Sequence, residues 1–168
     1  MFIYGNKKFT NSIKTIKAFN NTEFFNALKE IQKLQNDFYL VGYISYQAKD
    51  IFLGKTISTV SPLLYFEVCK SYEDFEMPKE KIANLFIKEN IDFEKYSISI
   101  EKIKEYIKQG TTYEVNYTFS NNVFCDTNGY NLFSNLIQKQ KTPYCAYIKN
   151  EFDEILSFSP ELFFRIEN

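Results

Sequence analysis

The sequence predicts an α+β fold in which antiparallel-rich sheets are covered by helices. Three observations carry this. Short runs of Phe, Tyr and aliphatic residues, such as Phe38–Ile44 and Tyr144–Ile148, are bounded by turn-forming Asn, Asp, Gly and Pro, as strands are. Two other stretches space their apolar residues for one helical face: Phe24, Ala27, Leu28, Ile31 and Leu34, then Ile100, Ile103, Tyr106 and Ile107. Directly after Gly110 the period falls to two, with Tyr113, Val115, Tyr117 and Phe119 on one side and Glu114, Asn116, Thr118 and Ser120 on the other.

Composition narrows the chemistry before any motif is read. A chain of 168 residues buries roughly 70% of its unfolded surface, which suits a single domain over 1–168. Twenty basic and 21 acidic residues leave a net charge of -1, so no long-range field recruits nucleic acid or an anionic membrane. The absence of histidine removes Ser-His and Cys-His nucleophile pairs together with histidine metal sites. Cys69, Cys125 and Cys145 have no zinc or redox spacing and read as buried thiols in a reducing cytoplasm. The longest apolar run, Phe38–Ile44, is strand length, so no targeting or membrane-spanning segment is expected.

Taken in order, Phe2–Tyr4 predicts a strand, Gly5-Asn6 a turn, and Ile13, Ile16 and Phe19 a second strand. Thr22 is the expected cap of the helix through Leu34, which Asn36-Asp37 ends. Phe38–Tyr46 is apolar on both faces, as a central strand would be, and Gly42 within it marks a bulge or the close approach of another backbone. Residues 47–61 read as a surface loop, Leu63–Cys69 as a strand, Lys70–Pro78 as irregular and Lys79–Glu89 as a helix with Ile82, Leu85 and Phe86 inward. Ser99 can cap the next helix and Gly110 stop it, and the period-two strand 113–120 continues through Val123–Cys125. Leu132, Phe133, Leu136 and Ile137 give a short helix. Tyr144–Ile148 and Glu154–Phe158 form a hairpin about Asn150–Asp153, and Glu161–Ile166 is a last strand after the Ser159-Pro160 bend.

Gly110 with Tyr113-Glu114-Val115-Asn116-Tyr117-Thr118 resembles the glycine, acid, tyrosine, glutamine, valine, asparagine and threonine signature of the chorismate-binding enzymes, with Thr111 in place of the acid and Glu114 in place of the glutamine. Three more blocks stand in that family's order: Gly42-Tyr43-Ile44-Ser45-Tyr46, Pro62-Leu63-Leu64-Tyr65-Phe66, and Pro143-Tyr144 followed by Ser159-Pro160-Glu161-Leu162-Phe163. The first of these looks most like the para-aminobenzoate branch, aminodeoxychorismate synthase component I; the anthranilate branch is the alternative.

The resemblance implies about half of a two-sheet sandwich of the anthranilate synthase component I type. It also implies that catalysis, and the carboxylates that hold magnesium in the complete enzyme, belong to chain beyond the Ser159-Pro160-Glu161 block. The 168 residues are therefore expected to be an amino-terminal portion, inactive alone, with no catalytic, cofactor-binding or metal residue of its own. Chorismate is the implied substrate of the complete enzyme and a glutamine amidotransferase its partner. Tyr43, Ser45, Asn116, Thr118, Pro143, Tyr144, Ser159 and Glu161 are the candidate motif or effector-pocket positions. Relatives bind a tryptophan effector through an asparagine-proline-x-proline-tyrosine motif and an earlier acid-serine one. Here Gln140 and Lys141 depart from the former and the latter is unrecognisable, so Pro143-Tyr144 is expected to be a turn packing on the sheet. A non-catalytic docking module on the same scaffold is the second reading. A final Leu162-Phe163-Phe164 strand without cover would leave an edge open to self-association.

Overall fold

Backbone groups decide the architecture, because each buried N–H and C=O needs a partner. The computed structural model describes residues 1–76, 78, 84–140 and 142–166. Its strands are β1 (Phe2–Tyr4), β2 (Lys7–Ala18), β3 (Tyr39–Ile44), β4 (Leu64–Asp74), β5 (Leu85–Lys88), β6 (Asn122–Cys125), β7 (Tyr144–Lys149) and β8 (Glu154–Ser159). Its helices are α1 (Asn21–Leu34), the short α2 (Lys49–Phe52), α3 (Phe93–Lys108) and α4 (Gly129–Lys139). The chain divides into two units, Met1–Lys81 with Gly129–Asn168, and Ile82–Asn128. It is α+β, as the sequence predicts.

In the first unit six antiparallel strands lie in the order β3-β4-β2-β1-β7-β8. The sheet is curled: Tyr4 on β1 donates its hydroxyl to the Gly42 carbonyl of β3 at 2.6 Å, past two intervening strands. Phe2, Val41, Tyr65, Cys69 and Ile148 fill the concave side. On the other side α1 lays Phe24 and Ala27 on Ile16, Ala18, Leu64 and Val68, while α4 covers Ile3, Cys145 and Tyr147 with Phe133. The expected hairpins Phe2–Tyr4 with β2, and β7 with β8, both form.

Several expectations change. α1 is capped by Asn20, not Thr22: Asn20 is extended (φ -145, ψ 174), its side chain accepts the Glu23 N–H at 3.0 Å, and Glu23 in turn accepts the Phe19 N–H at 2.7 Å. The presumed central strand 38–46 is the shorter β3 at a sheet edge, paired with β4 alone. Close approach at Gly42 is real, since a Cβ there would lie 1.9 Å from the Tyr65 carbonyl oxygen. The loop 47–61 begins with a 3-10 turn at Tyr46–Ala48 and α2, whose Ala48 and Ile51 enter the core. The irregular stretch after Cys69 is strand to Asp74, because β2 is long enough to pair with it back to Lys7.

The second unit departs furthest from pattern reading. Of the helix expected over Lys79–Glu89, residues 79–83 lie outside the described residues, while Leu85–Lys88 is strand β5, laddered to β6. A ladder partner overrides the weak helical spacing, and Asp126 holds Asn84 at the ladder's end through its backbone (3.1 Å) and side chain (2.7 Å). α3 starts at Phe93 under an Asp92 cap whose carboxylate accepts the Lys95 N–H at 2.8 Å; Ser99 lies inside the helix and donates to the Lys95 carbonyl. Gly110 ends α3 at φ +73, as expected. Residues 113–120 form no ladder with any described residue, and 161–166 are likewise not a strand: period-two patterning gives a segment two faces, and a strand also needs a neighbour.

Candidate functional site

Tyr43 and Ser45 sit on and just after β3. Tyr43 stacks on Tyr65 with ring centroids 6.1 Å apart, and its hydroxyl donates to the Asp153 carboxylate while receiving the Asn150 side-chain amide at 3.4 Å. Burial, then the bond to Asp153, pushes the Tyr43 hydroxyl up to about 12. This tyrosine is engaged in fastening the β7–β8 turn to the far side of the curled sheet. Phe152 of the same turn packs on Phe19 and Tyr65, and Glu151 pairs with Lys17 at 2.7 Å. Ser45 donates its backbone N–H to Leu63 at 2.9 Å, and its Oγ is buried without a hydrogen-bond partner among the described residues.

Asn116 and Thr118 lie in the exposed, unladdered segment of the second unit. On the opposite side of that segment Tyr117 and Phe119 contact Tyr96 of α3, with ring centroids 5.9 and 6.0 Å away. A cavity of about 280 Å³ opens beside Phe93, Tyr96 and Phe119, next to the Asp92 cap.

Pro143, Tyr144 and Glu161 are brought together in the first unit. With the Tyr4–Lys7 turn, Leu162, Phe163 and Arg165 they line an open cavity of about 410 Å³. The Gly5 N–H donates to the Cys145 carbonyl at 2.9 Å, which sets the Gly5-Asn6 turn beside β7. Pro143 is in a turn at the foot of β7. Ser159 faces Tyr144 in the β7–β8 register and donates its hydroxyl to the Glu161 carbonyl at 2.8 Å, holding the bend. Lys7 and Arg165 give this rim two cations, and Lys7 stands 4.2 Å over the Tyr72 ring.

The eight candidates therefore do not converge on one catalytic constellation. Sequence reasoning missed Asn150 and Asp153 as the partners of Tyr43, and Glu67, whose carboxylate accepts hydroxyls from Ser12, Thr15 and Tyr65. An Asn-x-x-Asp turn between two strands was the available signal for the first pair; a lone Glu in an apolar strand was the signal for the second. Among the described residues no three His, Cys, Asp or Glu gather where they could hold a metal ion. The described residues thus do not fit the magnesium ion that the family resemblance implies. No helix among them is long and apolar enough to cross a membrane.

Comparison with known proteins gives these positions their context. The model of the family described as chorismate binding enzyme matches residues 66–168. Aminodeoxychorismate synthase component 1 of Bacillus subtilis (strain 168) is 31% identical over 67 residues, which cover 40% of this chain and 14% of the relative. The match thus spans about one seventh of the relative's length. No solved structure matches the chain. With the family model covering more than half of its residues, the chain belongs to the chorismate binding enzymes.

Proposed function

We propose that the chain is a scaffold portion of an aminodeoxychorismate synthase component I, whose complete form aminates chorismate to 4-amino-4-deoxychorismate on the way to para-aminobenzoate and folate. The observation that carries this reading is the 31% identity to Bacillus subtilis aminodeoxychorismate synthase component 1. The Gly42-Tyr43-Ile44-Ser45-Tyr46 block supports it over the anthranilate branch. A glutamine amidotransferase is the ammonia-supplying partner, and the free thiols, buried at Cys69 and Cys145 but exposed at Cys125, against the expectation of three buried ones, suit a reducing cytoplasm.

In this reading the chain's own residues hold shape. Tyr43 with Asp153, Ser159 with the Glu161 carbonyl, and Pro143-Tyr144 at the foot of β7 fix the sheet and its bend. Asn116 and Thr118 are motif positions on a segment with no sheet neighbour among the described residues. Any magnesium of the complete enzyme would be held against the substrate by carboxylates outside the residues described here.

The 168-residue chain, given chorismate, ammonia and magnesium, should form no aminodeoxychorismate above the uncatalysed background. Turnover by the chain alone overturns the scaffold reading. For the branch, the full reading frame supplied with the same reagents should yield aminodeoxychorismate; anthranilate as the product would place the protein in the other branch.

A further inference from the structure

We draw no further inference here: the strongest candidate, the open cavity of about 410 Å³ between the Tyr4–Lys7 turn, the foot of β7 and Glu161 in the first unit, belongs to the motif and effector-pocket positions already described.

Discussion

The two units use the same kinds of element and reach opposite ends. In the first, the apolar faces of α1 and α4 are covered and the sheet contributes Ile3, Leu64, Val68 and Tyr147 to the interior at 0–1% exposure. In the second, α3 also carries an apolar stripe, yet none of its residues is buried, and Phe86, Phe93, Tyr113 and Phe124 stand open. Amphipathic patterning therefore specifies which face should be covered and is silent on whether a cover is present. A helix in water draws most of its stability from that cover, so α3 depends on its caps to an extent that α1 does not.

Removing a ring from each unit should separate them most. Phe24→Ala, at a site 1% exposed, should cost about 3–5 kcal/mol in urea unfolding, whereas Phe119→Ala should cost about 0.5 kcal/mol because its ring is half in solvent already. Equal losses would break the contrast. Glycines give the next largest effect. Gly42→Ala forces a Cβ to 1.9 Å from the Tyr65 carbonyl oxygen and 2.7 Å from the Phe66 Cα, both backbone atoms, and should cost about 3 kcal/mol. Gly110→Ala meets open space and loses only its left-handed backbone freedom, about 1–2 kcal/mol.

The smallest effects are pH-dependent and act on the units at opposite ends of the scale. Tyr43 and Tyr65 are pushed up to about 12, first by burial and then by hydrogen bonds to Asp153 and Glu67. Because these folded values lie above the ordinary 10.0, the stability they carry is complete below pH 10.0 and is lost as pH rises through about 12. Asp92 is held below its ordinary 3.8, chiefly by the Lys95 backbone N–H, so its cap is complete above that value and is lost as pH falls through the lowered one. Tyr4 and Tyr147 are likewise pushed up by burial, so tyrosinate absorbance should show four phenols titrating late, coincident with loss of the first unit's tertiary signal. Acid should fray α3 before it disturbs the sheet, as seen by far-ultraviolet circular dichroism.

The sequence was most legible where local rules and tertiary partners agreed. The Phe2–Tyr4 hairpin, the α1 stripe, the Gly110 stop and the β7–β8 hairpin all follow from spacing and turn chemistry, and the motif blocks at Gly42, Pro62, Gly110 and Ser159 led to the family that residues 66–168 match. It was least legible where a partner decides. Leu85–Lys88 became strand because β6 lies beside it, while 113–120 and 161–166 failed to become strands because no neighbour among the described residues does. Caps moved to Asn20 and Asp92 because a side chain must stand extended to reach the free N–H two or three residues on, a geometry that composition does not reveal. Tyr43 was readable as a motif residue but not as a fastening, since Asp153 lies 110 residues away.

Residue-resolved hydrogen exchange on dilute chain tests the contrast between the units most directly. Amides of β2 and β4 should exchange only through global opening, and those of Tyr113 to Ser120 should exchange at close to the rate of an unfolded peptide. Protection across 113–120 equal to that of β4 at the same dilution would contradict the account, because it would mean that this segment already has the neighbour it is held to lack.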